Sequence, residues 1–291
     1  MQAIEEVSWS SDALQVTVLP GLGSRIHRLR AFGHDLLRTP PDAHLHAAEP
    51  YFWGAYVMAP WCNRIAPGRV AVEGRAVDLP PSFPDGTAIH GQVSSRPWAV
   101  EPDGSLRIAA GGDGWPWPYE VVSRVAVHDS TLEIDLRLVN RSDGAMPAGI
   151  GLHPWFRRPV ELRVDAATVY ASNAASAALG VPVGGHLDLR ALRSPPAGLD
   201  GTWVAPAAPA ATLTWPGAGI RATLEVEADR AFVAVATPAA LDAIAVEPQT
   251  HGPDGLRRLL NAEPDALAVL DPGESVRLGV RIRVERVSLP G

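Results

Sequence analysis

The chain has 291 residues, a net charge of −7 and a single cysteine, with hydrophobic residues at 46% and charged residues at 20%. Acids are spread along it and every basic charge is an arginine outside any basic stripe, which argues against a nucleic-acid partner. No apolar run approaches the roughly 18 residues of a membrane span. The acidic start, Met1-Gln2-Ala3-Ile4-Glu5-Glu6, has no charged-then-apolar signal pattern. Cys62, having no second cysteine to pair with, suits a reducing cytoplasm, and it reads as a small core thiol or a nucleophile.

In chain order the periodicity is mostly two. Leu14, Val16 and Val18 alternate in a first strand that ends at Pro20-Gly21. Ile26, Leu29 and Phe32 follow, then Leu36 and Leu37. Val70 and Val72, the turn at Glu73-Gly74, and Ala76, Val77 and Leu79 predict a hairpin. A second hairpin joins Val125 and Val127 to Leu132, Ile134, Leu136 and Leu138 through His128-Asp129-Ser130. Leu224 and Val226 alternate, and Phe232 opens a short apolar run that ends at Ala236. The last strand sets Val276, Leu278, Val280, Ile282 and Val284 against Arg277, Arg281, Arg283 and Glu285, a half-solvated antiparallel pattern. A short helix over residues 254–261 is the one helical signal. Residues 205–211 are rich in Ala and Pro and read as a surface loop, not a domain boundary. Many short strands separated by Gly/Pro turns predict an all-β chain, a single unit over residues 1–291 built as a large antiparallel β-sandwich.

Phosphate loops, dinucleotide fingerprints and Gly-x-Ser-x-Gly are absent from the sequence. His44-Leu45-His46 sets two imidazoles on one face if the segment is a strand, with no third metal ligand nearby. Four polar islands remain. Asn63-Arg64 brings an arginine fork suited to paired oxygens, or to a structural ion pair. His90 is tied to Gly91. His153 sits in Gly-Ile-Gly-Leu-His-Pro-Trp-Phe, with Pro154 stiffening the backbone and Trp155 beside it. In the fourth, an apolar strand delivers Glu247, followed at once by Pro248 and then by Gln249-Thr250-His251. A carboxylate ending an apolar strand is costly unless it is paired or functional. Nine tryptophans accompany these islands. Aromatic faces with Arg, Asp, Glu and His suit a sugar cleft, and large sandwiches also use Trp as filler.

Taken in order, the islands resemble the aldose 1-epimerase (galactose mutarotase) family. The matches are Asn63-Arg64-Ile65, His90-Gly91, Gly151-Leu152-His153-Pro154-Trp155-Phe156 and Glu247-Pro248-Gln249-Thr250-His251-Gly252-Pro253-Asp254. The likeness runs over nearly the whole chain and implies a twisted antiparallel supersandwich. It also implies a cofactor-independent isomerase of carbohydrate metabolism, without metal, acting on a small sugar as a monomer or homodimer. It implies His153 as general acid on the ring oxygen and Glu247 as general base on the C1 hydroxyl. His90 becomes a second active-site histidine, with Arg64, Asn63, Asp200 and Trp155 binding the sugar. Asp200, in Gly198-Leu199-Asp200-Gly201, is the least securely matched, and its flanks depart from the galactose-specific pattern. The chemistry needs the Glu247 pKa raised by burial and His153 held protonated by a nearby carboxylate. The alternatives are an epimerase of a phosphorylated hexose, with arginines such as Arg64 and Arg96 converging on the phosphate, a non-catalytic carbohydrate-binding sandwich, and a β-sandwich glycosidase or lyase, for which only Glu247 stands out as a carboxylate.

Overall fold

The computed structural model describes residues 4–174 and 179–288; Met1, Gln2 and Ala3 of the acidic start lie outside them. Two large sheets, of eleven and eight strands, carry the fold, and the strands of each pair antiparallel with their neighbours. A single hydrophobic cluster between them draws Leu14, Val16 and Phe156 from one sheet and Ile134, Leu136 and Val280 from the other.

The eight-stranded sheet holds the clearest alternation. In the strand Ser275–Arg286, Leu278, Val280, Ile282 and Val284 are buried while Arg277, Arg281, Arg283 and Glu285 face water. It lies between Thr131–Asn140 and Ile220–Glu227, and cross-strand pairs such as Arg281 with Glu133 decorate its outer face. Such exposed pairs contribute only ~0.2–1 kcal/mol each; the alternating apolar face is what holds the strand.

At the centre of the eleven-stranded sheet lie Ala55–Met58, Gly151–Arg157, Ala243–Gln249 and Phe232–Ala236, side by side in that order. These strands are buried on both faces. Val57, Leu152, Phe156, Ile244, Val246, Val233 and Val235 join the main core. Tyr56, Met58, Trp155, Ala243 and Ala245 form a second, smaller cluster on the opposite face. There the alanines of one strand lie beside the rings of Tyr56 and Trp155, and that difference in size leaves a hollow. That hollow face is covered by the long excursion between Met58 and Val100. Within it Arg64–Ile65 pairs with Ala88–Ile89, and Val70–Val72 with Arg75–Val77, the predicted hairpin.

Three expectations change. His44-Leu45-His46 does not lie on a strand: Leu45–Ala48 is a short helix, and His46 turns inward to bond His27, Nε2 to Nδ1, at 2.9 Å. The tryptophans are mostly core. Trp115 and Trp117 start the long strand Trp115–His128, Trp203 ends inside Asp200–Val204, and all three are fully buried. A two-sheet core this wide needs side chains of that reach, and this accounts for them better than sugar stacking does. Arg96 lies outside the cleft described below. The predicted helix is present as Gly255–Leu260.

Gly91 locks the excursion to the sheet edge. Its φ is +76°, and a β-carbon there would lie 1.9 Å from the carbonyl oxygen of Ala59, which accepts the Gln92 N–H at 2.7 Å. The left-handed backbone alone costs a non-glycine residue ~1–2 kcal/mol, before any clash. Gly91→Ala should lower the thermal midpoint by roughly 4 °C or more, read by calorimetry.

Candidate active site

The antiparallel register builds the site. Tyr56 lies opposite His153, and Ala234 opposite Glu247. The pairing that sets Gly151 against Gln249 and Trp155 against Ala245 brings His153 beside Glu247. All point to the hollow face, into a cleft of about 270 Å³. That is close to the low end of small-molecule sites, roughly 300 Å³.

At its floor Glu247 Oε1 lies 3.1 Å from His153 Nε2, with both side chains almost completely buried. The second oxygen, Glu247 Oε2, and the second ring nitrogen, His153 Nδ1, are buried without a hydrogen bond in the protein. Burial raises the Glu247 pKa well above 4.5; the Asp200 charge adds to this and Arg64 opposes it. Burial also lowers His153 well below 6.5, with His90 and Arg25 adding to the effect. The rise at Glu247 was expected. The expectation that the carboxylate holds His153 protonated is corrected: burial is the largest influence on both groups and disfavours the charged form of each.

Tyr56 stacks on His153, ring centroids 4.6 Å apart and planes 23° apart. The buried Arg25 guanidinium lies over the Tyr56 ring, 4.7 Å from its centroid, and donates to the carbonyls of Trp53, Pro50 and Ser94. His153 is thus held in a stack that ends in a fixed cation. Burial brings the Arg25 pKa down to about 10, still charged near neutrality.

His90 meets His153 edge to face at 4.9 Å. Its ring Nδ1 accepts the backbone N–H of Asn63 at 3.2 Å, while the His90 backbone N–H donates to the Asn63 carbonyl at 3.0 Å. A nitrogen that accepts carries no hydrogen, so the neutral ring has its proton on Nε2. Burial pushes the His90 pKa down to about 3 and keeps the ring neutral. Both Asn63 and His90 have left-handed backbones, φ +58° and +57°, a strained setting for non-glycine residues. Among the described residues His90, His153 and Glu247 form the one cluster of metal-ligand type. With Nδ1 spent on Asn63, His90 presents an N–H donor, which suits proton chemistry better than ligation.

The far wall holds the remaining candidates. Arg64 Nε donates to Asp85 at 3.0 Å, and its NH1 lies 3.6 Å from Asp200 Oδ2. Asn173 donates to Asp200 Oδ1 at 2.9 Å and accepts from Thr202 at 2.6 Å. Trp155 lines the cleft and donates its ring N–H to the Tyr51 carbonyl at 2.6 Å. The fold therefore brings Glu247, His153, His90, Asn63, Arg64, Asp200 and Trp155 to one cleft. Sequence reasoning missed Tyr56, Phe83 and Asn173 there, and Arg25 behind them. No local sequence pattern around Tyr56, Arg25 or Asn173 marks them out.

His251 is structural. It is fully buried, its Nδ1 meets the Gly252 carbonyl at 2.6 Å, and its Nε2 accepts the Cys62 N–H at 2.9 Å. Gly149 makes room for the ring: a β-carbon there would lie 2.2 Å from His251 Cδ2.

A family model described as aldose 1-epimerase matches residues 5–283. A protein of Escherichia coli K12 named YphB, described as uncharacterized, is 27% identical over 248 residues, 79% of this chain and 83% of that protein. The crystal structure of a putative aldose 1-epimerase from Escherichia coli K12 superposes with a TM-score of 0.80 at 22% identity, covering 98% of this chain and 100% of that one. A GalM/aldose epimerase homologue from C. elegans gives 0.82 at 16% identity, over 98% and 100%. At these identities the structures establish the fold, the galactose mutarotase-like sandwich.

Cys62 lies under this site, and burial raises its thiol pKa well above 9.0, with Glu247 adding to the shift. The nucleophile reading is thereby removed. The native protein should not react with a chromogenic disulfide reagent at mildly alkaline pH, and its single thiol should appear only on denaturation.

Proposed function

The chain belongs to the aldose 1-epimerase family, and we propose that it is an isomerase that interconverts the α and β anomers of a free aldose by acid–base ring opening and closure. The observation that carries this reading is the buried 3.1 Å contact between Glu247 and His153 on the floor of the cleft.

The reaction moves two protons. Glu247 takes the hydrogen of the C1 hydroxyl, and its O–H pair becomes the second bond of the aldehyde. The C1–O5 bond breaks, its electron pair goes to O5, and His153 supplies the proton there. Rotation about C1–C2 and closure in the reverse sense give the other anomer and restore both groups. The neutral pair holds one proton for this cycle, enough for one donor and one acceptor. Passing that proton from the carboxyl to the imidazole arms the pair, and the sugar oxygens then take the place of their mutual contact. No hydride or electron is transferred, so side chains suffice. In the same reading His90 Nε2–H donates to the oxygen that develops charge. Asn63, Arg64 and Asp200 hold hydroxyls, and Trp155 meets the apolar face of the ring.

A phosphorylated substrate is less well served. Among the described residues Arg64 is the one cation lining the cleft, and Asp85 and Asp200 already stand beside it. A phosphate dianion would meet those acids and Glu247 with little to offset them. A purely sugar-binding sandwich has no need of a buried acid–imidazole pair, which costs stability wherever it is not used.

Polarimetry on freshly dissolved α-anomers of several free aldoses tests the reading; acceleration by the wild-type protein is expected. Glu247→Gln and His153→Asn should each lose roughly 10²–10⁴-fold in rate while keeping the native circular dichroism spectrum. Full activity in either variant removes that residue from the mechanism.

The pH dependence of kcat/KM should be bell-shaped, with its plateau spanning neutrality. On the acid side, a second proton enters the pair below the ordinary histidine value of 6.5 and removes the base. On the alkaline side, the last proton leaves only well above the ordinary 4.5 of glutamate, and the acid is lost. A single rise centred near 4.5 would contradict this.

A further inference from the structure

Between the Glu247 strand and the His90 loop runs a chain of buried hydrogen bonds that the proton cycle does not use. Gln249 is fully buried, two residues beyond Glu247. Its Nε2 donates to the carbonyl oxygen of His251 at 2.9 Å, and its Oε1 accepts from Asn63 Nδ2 at 3.2 Å. The polarity of this chain is set from one end. A carbonyl oxygen only accepts, so the NH₂ of Gln249 must face His251 and its oxygen must face Asn63. That forces Asn63 to offer its own NH₂ to Gln249, which leaves Oδ1 as the end of the amide turned to the cleft that Asn63 lines. The same residue donates its backbone N–H to His90 Nδ1 from a left-handed conformation. Asn63 without a side-chain anchor would have every reason to leave that conformation, since relaxation there recovers ~1–3 kcal/mol.

We propose that Gln249 is a positioning residue of the site: by clamping the Asn63 side chain it holds the Asn63 N–H on His90 Nδ1, and so keeps the His90 Nε2–H pointed at the substrate. Gln249 is not among the residues lining the cleft, and its side-chain hydrogen bonds go to His251 and Asn63. It acts through Asn63 and His90. His251 supplies the fixed carbonyl and, through its ring, also ties the neighbouring Cys62 N–H. The strand that carries the general base thereby sets the orientation of the second histidine, 157 to 159 positions earlier in the row of islands only by sequence and adjacent in space. The catalytic meaning of this arrangement rests on the epimerase reading; the tautomer it imposes does not.

Gln249→Met keeps the length of the side chain and removes both bonds. It should lower kcat roughly 10–100-fold, the size of loss that follows a misplaced catalytic group, with KM changed much less. Combined with His90→Ala it should add nothing to the loss of His90→Ala alone, because the two act as one unit. Gln249→Glu should rescue at mildly acidic pH. Its buried carboxyl, protonated there, donates to the His251 carbonyl and accepts from Asn63 as the amide does. That activity should fall as the pH rises and the new carboxyl ionises, an alkaline loss that the wild type lacks over the same range. Imidazole nitrogen NMR gives the readout that is independent of turnover. The wild type should show His90 protonated on Nε2 alone, and Gln249→Met should show a mixture of tautomers.

Wild-type kcat in Gln249→Met, multiplicative losses in the double variant, or an Nδ1-protonated His90 in the wild type would each overturn the proposal. If Gln249→Met does not fold, the pH-dependent rescue of Gln249→Glu and the wild-type tautomer decide it. If the wild type accelerates no aldose, the epimerase reading fails, and the tautomers of wild type and Gln249→Met still decide whether Gln249 orients His90.

Discussion

Glu247 and His153 lie 3.1 Å apart, almost without solvent, and no fixed counter-ion touches either of them. Water would stabilise a carboxylate or an imidazolium far better than this site does, so burial works against both charges at once. Each group is thereby pushed toward its neutral form, Glu247 by a raised pKa and His153 by a lowered one. That outcome needs the two groups to face each other and to stay dry. Much of the surrounding structure serves those two requirements: the register of three adjacent strands, the small residues beside them and the loops over them.

The register comes first. Side chains on adjacent strands meet only if the pairing is right to the residue, since a slip by one sends each to the other face. Here the large residues Ile244, Val246, Leu152 and Phe156 are anchored in the main core, which leaves the intervening positions no choice of face. Ala243 and Ala245 then keep the hollow face shallow next to Glu247. Tyr56 and the buried Arg25 extend the row by stacking, so that His153 meets a ring on one side and its acid on the other. The second requirement is met by the excursion that carries Asn63, Arg64 and His90. It is not an ordinary lid of mobile loop. Asn63 and His90 have strained backbones and bond each other; Asn63 is tied to Gln249, at the end of the strand that bears Glu247, and the neighbouring Cys62 N–H is tied to His251 just beyond it. Strain of this kind persists only where surrounding contacts over-determine it.

The unsatisfied atoms fit the same picture. Buried polar groups are nearly always bonded, and each exception costs ~1–3 kcal/mol. Glu247 Oε2 and His153 Nδ1 are two such exceptions at a single place in the fold. They are not the sole exceptions, since the indole N–H groups of Trp115, Trp117 and Trp203 in the core are also buried without a partner; what sets the cleft apart is that its two orphans belong to ionisable groups in contact with each other. Stability is supplied by the wide two-sheet core and drawn down at the cleft.

Much was legible beforehand. Period-two alternation at Leu14, Val16 and Val18, at Leu132 to Leu138 and at Val276 to Val284 located strands correctly, because a half-buried strand writes its two faces into the sequence directly. The polar islands around Asn63, His90, His153 and Glu247 stood out because each interrupts an apolar or Gly/Pro context. The tryptophans misled, since side-chain chemistry says nothing of which face a residue takes when both faces are buried. Tyr56, Arg25 and Gln249 were invisible as site residues for a related reason: their roles depend on what lies on the neighbouring strand. By itself, then, the sequence determined the all-β class, the family and which ionisable groups were unusual, since alternation and residue type are local properties. Only the tertiary structure decided that Glu247 and His153 meet in a dry site where burial disfavours the charged form of each. It alone decided that His90 carries its hydrogen on Nε2 and that Asn173 holds Asp200. Those outcomes depend on desolvation and on partners that are distant in sequence, 27 residues apart for Asn63 with His90 and for Asn173 with Asp200, and neither is a property of any single stretch of chain.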